Sequence, residues 1–150
     1  MLNESINTQI KGAMKSGDKL RLETLRSIRA AIIEFDKSGV NREMNSEDEI
    51  NILTYQVKKR KDAAEQYANA GRNDLAEKER KELDIIQEFL PKQLTHEEIA
   101  EFVEKLISLT GAKDMSDIGK VMGPAMTELK GKADGKIVNE IVRTKLSSNA

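Results

Sequence analysis

Apolar residues recur at three- and four-residue steps along almost the whole of this chain, and that period is what limits its fold. Leu2, Ile6, Ile10, Ala13 and Met14 form one such stripe; Leu22, Leu25, Ile28, Ile32 and Phe35 form a second. A 3.6-residue period gathers such positions on one side of an α-helix and scatters them over both faces of a strand. The 150 residues include two prolines, with 34% charged against 38% hydrophobic, and no alternating run of β-branched and aromatic residues. Such residues lose little rotamer freedom in a helix, so an all-α protein is predicted and strands are not expected.

Capping signals divide the pattern. A first helix should reach about Ser16 before Gly17, with Asp18 placed to cap a second that stops at Lys37-Ser38-Gly39. Ser46-Glu47-Asp48-Glu49 reads as a capping box opening a long third helix, which ends at Asn69-Ala70-Gly71. Asn73 can cap a fourth, closed by Pro91. The run Leu90-Pro91-Lys92-Gln93-Leu94 then leads into a second capping box, Thr95 to Glu98. The boundary is therefore set near residue 93: an N-terminal four-helix domain over 1–92, then a small three-helix C-terminal bundle over 93–150. In that bundle one helix stops at Thr110-Gly111, a second spans roughly Ser116 to Lys130, and a third starts at Asp134. Pro124 lies inside the second and should kink or break it around Val121 to Gly123.

Charge and composition exclude several functions. A formal net charge of −1 argues against coating nucleic acid or an anionic membrane by bulk electrostatics, and DNA is not expected as a partner. From residue 111 onward the balance leans positive, seven basic against five acidic, which supports a local patch only. The absence of cysteine removes disulfides and thiolate metal sites. No secretory signal and no apolar run of membrane-spanning length is present, so a cytoplasmic protein is expected, without a membrane partner.

With one histidine and no nucleophile or phosphate-loop motif, no catalytic residue, metal site or cofactor is assigned. His96 reads as an exposed residue at a helix start. Glu47, Asp48 and Glu49 read as solvated carboxylates complementing a helix dipole, and Met115, Met122 and Met126 as a core stripe. Lys58-Lys59-Arg60-Lys61 fans around a helix at 100° per residue and reads as a solvated face pairing with Asp62 and Glu65.

The junction between the last two helices is the distinctive stretch. Gly131 can end one helix in a left-handed turn and Asp134 can cap the next, with Lys130, Lys132 and Lys136 around the connection. Three cations within two turns of free N–H groups make an anion-site layout. The structural alternative is that Gly131 and Asp134 only stop and start helices while the lysines stay in water. Asp134 itself competes with an anion for the cap donors.

Read as Gly123-x-x-Met126-x-x-x-Lys130-Gly131-Lys132-Ala133-Asp134-Gly135-x-x-Val138-Asn139, this junction resembles the tail domain of the GatB subunit of tRNA-dependent amidotransferases. It departs at Asp134-Gly135, where that tail usually has Asn-Pro. End to end the chain looks like the YqeY family, through Thr24-Leu25-Arg26, Lys59-Arg60-Lys61-Asp62, Ala70-Gly71-Arg72-Asn73-Asp74-Leu75, Phe89-Leu90-Pro91-Lys92-Gln93-Leu94 and Gly119-Lys120-Val121-Met122-Gly123.

The resemblance implies an all-helical, non-catalytic module that binds tRNA or another structured RNA, or the tRNA-charging machinery. In it Lys130, Lys132 and Lys136 contact phosphates, Gly131 and Gly135 permit close backbone approach, and Asn139 orients the junction or touches RNA. Aromatic content of 3% favours recognition by shape and phosphate over base stacking. A protein-interaction adaptor presenting the charged face of the third and fourth helices is the alternative. An accessory to a glutamine-dependent carbon–nitrogen ligase, implied by the family alone, is the third.

Overall fold

A computed structural model describes residues 1–148 and shows seven α-helices and no strand among them. They are α1 Leu2–Ser16, α2 Lys19–Lys37, α3 Ser46–Asn69, α4 Asn73–Gln87, α5 His96–Thr110, α6 Ile118–Glu128 and α7 Gly135–Ser148, with a single 3-10 turn, Met115–Asp117, before α6. The chain divides into two compact units, Met1–Leu90 and Pro91–Ala150, each with its own core. No helix among the described residues is long and apolar enough to cross a membrane.

In the N-terminal unit the predicted stripes meet. Leu2, Ile6, Ile10 and Ala13 of α1 pack with Leu25, Ile28 and Ile32 of α2, Leu53 and Val57 of α3 and Ile86 of α4. Full burial of a side chain such as Ile6 or Leu25 is worth about 1.5–3 kcal/mol, so this cluster supplies most of the unit's cohesion. Gly17 at φ 74° turns α1 into α2, and Asp18 caps α2 by accepting from the Arg21 N–H, as the sequence predicts. Arg21 then spans three helices, pairing with Glu88 at 2.8 Å and donating to Gln9.

Two caps differ from expectation. The box that opens α3 lies one residue earlier than read: Asn45 accepts from the Asp48 N–H, and the Asp48 carboxylate accepts from Asn45 N–H. Asp48 also binds Arg42, whose guanidinium lies 5.8 Å from the centre of the Phe35 ring, so the α2–α3 loop is closed on both sides. This leaves Glu49 outside the cap, and its carboxylate accepts from the Leu2 N–H at 3.1 Å, joining the starts of α1 and α3. Asn73 is not a cap either. The Arg72 N–H reaches back to the Tyr67 carbonyl at 2.8 Å to close the turn after Gly71, which puts Arg72 in the cap position and Asn73 inside α4.

The basic run in α3 contains the main correction. Lys58, Lys59 and Lys61 are exposed, but Arg60 is buried to 9% exposure. It falls on the same helical stripe as Leu53, Val57 and Ala64, so it faces the neighbouring helices rather than Asp62 and Glu65. Its Nη2 donates to Ser27 Oγ of α2 at 2.9 Å and its Nη1 to Gln56 at 3.3 Å. Its Nε lies 3.2 Å from Glu82 Oε2 of α4 without hydrogen-bond alignment, so charge rather than directed bonding holds that contact. Burial pushes the Glu82 carboxyl above its ordinary value, against the pull of Arg60.

In the C-terminal unit Ile99 and Val103 of α5, Val121 and Ala125 of α6, and Val138, Ile141, Val142 and Leu146 of α7 form the core, with Ala112 and Leu129. Thr95 and Glu98 make the predicted capping box, and Gly111 ends α5 at φ 70°. Met115 and Met122 pack against the core, while Met126 is 43% exposed and so leaves the expected stripe. Pro124 does not break α6 at Val121 to Gly123, because the helix continues from Ile118 to Glu128 with Pro124 inside it. Pro124 is exposed, as is Lys120 one turn earlier, whose carbonyl loses its partner on a side open to water.

The buried arginine and the α3 cap each lead to a measurement. Arg60→Met should destabilise the N-terminal unit by about 2 kcal/mol in urea unfolding, below the usual cost of orphaning a buried charge because Lys78 stands 3.9 Å from Glu82. Arg60→Met/Glu82→Leu should recover most of that loss. Separately, Arg42 and the Asn45 N–H hold the Asp48 carboxyl at about 2 instead of 3.8, so its stabilisation is present above the ordinary value. That stabilisation is lost as pH falls through about 2, and Asp48→Asn should flatten this part of an acid-unfolding profile.

Candidate functional site

The α6–α7 junction is built by a left-handed residue. Gly131 sits at φ 78°, a conformation that costs a residue with a Cβ about 1–2 kcal/mol, and it lets the chain leave α6 and start α7 within a few residues. The Lys132 and Ala133 N–H groups both turn inward to the Leu129 carbonyl, at 2.9 and 3.1 Å. Asp134 caps α7, accepting from the Lys136 N–H at 2.9 Å, while its own carbonyl accepts from Val138.

Three of the donors expected to be free for an anion are therefore spent. The Lys132, Ala133 and Lys136 N–H groups all have partners inside the turn, so attraction for an anion shifts toward the side-chain ammonium groups. Lys130, Lys132 and Lys136 are all exposed. Among the described residues Lys132 and Lys136 form no ion pair.

The other residues singled out in the sequence have structural partners. Gly131 is buried, with its carbonyl accepting from Gln93 Nε2 at 2.7 Å. Gly135 opens α7 against Met126, and a Cβ placed there would lie 2.7 Å from Met126 Cε. The glycine thus admits the methionine. Asn139 is half-buried and accepts from Arg143 Nε one turn on at 2.7 Å. Gln93 and Arg143 escaped sequence reasoning as members of this corner. For Gln93 the available signal was its place in the Leu90-Pro91-Lys92-Gln93-Leu94 run; for Arg143 it was the four-residue spacing from Asn139.

Residues 3–146 match the family described as Yqey-like protein. The chain belongs to that family. Over 143 residues this YqeY-like chain is 31% identical to altered inheritance of mitochondria protein 41, mitochondrial, of Pyrenophora tritici-repentis, covering 92% of this chain and 77% of that protein. It is also similar to one of the subunits of archaeal glutamyl-tRNA(Gln) amidotransferase: 44% identical over 54 residues in Methanobrevibacter smithii, covering 33% of this chain and 9% of that protein. With the same amidotransferase polypeptide of Methanococcus maripaludis it is 28% identical over 125 residues, covering 80% of this chain and 20% of that protein. The chain thus spans a minor part of the amidotransferase polypeptides it matches.

The two glycines of the junction should respond differently to alanine. Gly131→Ala forces a Cβ into left-handed backbone and should cost about 1–2 kcal/mol in chemical unfolding. Gly135→Ala displaces only the flexible end of Met126 and gains helix propensity, so its effect should stay within about 0.5 kcal/mol.

Proposed function

We propose that this YqeY-like protein is a non-catalytic helical module whose lysine corner docks on the phosphate backbone of tRNA in the service of tRNA-dependent amidotransferase or tRNA-charging machinery. The observation that carries the reading is the set of three exposed lysines at a turn in which the Lys132, Ala133 and Lys136 N–H groups are bonded internally. Such a turn offers positive charge on a hydrogen-bonded support, so a ligand is met mainly by the ammonium groups.

The likeness to the archaeal glutamyl-tRNA(Gln) amidotransferases supports the choice of RNA. The matched stretch of 54 residues has about the length of the C-terminal unit, which also carries the GatB-tail-like motif. We read that unit as the shared element, and the name of the amidotransferase connects it with tRNA. No residue from 130 to 139 is aromatic, so the turn itself carries no ring for bases to stack on and reads shape and charge. We place the module in the cytoplasm, while the fungal relative carries a mitochondrial name.

Electrophoretic shift with total tRNA across a salt series tests this. The wild-type protein should bind at low salt with affinity falling steeply as salt rises. The Lys130→Ala/Lys132→Ala/Lys136→Ala variant should weaken binding and lower the log–log salt slope by about 2 to 3. No shift by the wild-type protein at low salt would remove tRNA from the account.

A further inference from the structure

Two hydrogen bonds pin the segment that enters the C-terminal unit onto the lysine turn. Gln93 Nε2 donates to the Gly131 carbonyl at 2.7 Å, and the Leu94 N–H donates to the Lys132 carbonyl at 2.8 Å. The Gln93 amide also donates to the Pro91 carbonyl at 2.9 Å, which fixes its own orientation. The contact joins residues 38 positions apart, so it is a tertiary feature of this corner and not part of either helix.

Peptide planarity gives the contact its consequence. In a trans peptide the carbonyl and the following N–H point in opposite directions. With the Gly131 carbonyl on Gln93, the Lys132 N–H faces the Leu129 carbonyl; with the Lys132 carbonyl on Leu94, the Ala133 N–H faces that same oxygen. Both peptide planes of the turn are thereby held at both ends. Two carbonyl oxygens, each the negative end of a backbone dipole, are thereby engaged by Gln93 and Leu94 and are not left open to a ligand.

We infer that Gln93 is a positioning residue of the lysine corner. It locks the left-handed turn in one geometry and withdraws backbone oxygens that would otherwise repel a phosphate. This role rests on the tRNA reading for its ligand. Loss of the amide lets the Gly131–Lys132 peptide rotate, so the ammonium groups are presented from several backbone geometries instead of one, and binding then bears the cost of ordering them.

Gln93→Met tests the inference, because methionine keeps the chain length and removes the donor. In the free protein, amide hydrogen exchange at Leu94, Lys132 and Ala133 should quicken by about fivefold, the equivalent of one net hydrogen bond, while Val142 in the core is unchanged. In the shift assay with total tRNA, affinity should fall by about fivefold and the salt slope should decrease, since fewer phosphates are met at once. Unchanged exchange at those three amides overturns the inference, whatever RNA does. Faster exchange with wild-type affinity also overturns it, provided the triple lysine variant is weak. Failure of the wild-type protein to shift tRNA is seen before any Gln93 variant is made; it defeats the tRNA reading and takes this role with it. If Gln93→Met loses its helical circular dichroism, Gln93→Asn, which keeps the amide but falls a methylene short, replaces it under the same outcomes.

Discussion

The reversal at Gly131 is the constraint on which the C-terminal unit depends. α6 and α7 bury Val121, Ala125, Val138 and Val142 in one core, and they can do so only if the chain turns back within the six residues between Glu128 and Gly135. A backbone at φ 78° makes that possible, and the Leu129 carbonyl, accepting two N–H groups, holds it. Lys130, Lys132 and Lys136 lie at or beside this reversal, and all three are exposed.

The N-terminal unit is held differently. Its apolar cluster gives cohesion without direction, since hydrophobic burial scales with area and tolerates sliding. Arg60 supplies direction by reaching Ser27 on α2 and Glu82 on α4 from α3. A buried ion pair of this kind adds little net stability, because desolvation offsets its Coulomb attraction. Its effect is on alternatives: a shifted register would leave both charges buried and unpaired. The loop closure by Arg42, Phe35 and Asp48, and the Glu49 contact to Leu2, add local fixtures at the other end of α3.

These features give a protein that presents chemistry on rigid supports. The lysine corner has the Lys132, Ala133 and Lys136 N–H groups bonded within the turn, the Gly131 and Lys132 carbonyls engaged by the entry segment, and its lysine side chains exposed. That suits recognition of a polyanion of fixed shape, where preorganisation reduces the entropy lost on binding. The proposal that this polyanion is tRNA draws on the likeness to segments of archaeal glutamyl-tRNA(Gln) amidotransferases.

The helices were legible because they are local: a 3.6-residue apolar period, Asp18 and Thr95 at starts, and Gly17, Gly111 and Gly131 at stops act over a few residues. The errors fell where two local readings competed. Asn45 and Ser46 both suit a cap, and Arg42, contributed by the loop, favours the box with Asp48. The burial of Arg60 was implicit in its spacing from Val57 and Ala64, but four successive cations suggested a solvated face. Within the lysine corner the turn, the cap and the cations were readable from adjacent residues. The engagement of Gly131 by Gln93, and the packing of Met126 against Gly135, were not. Short-range periodicity and capping chemistry thus determined the all-α class and most helix limits. Only the tertiary structure decided which charges are buried and which carbonyls of the lysine turn are engaged, because both depend on partners that the chain brings together from dozens of residues away.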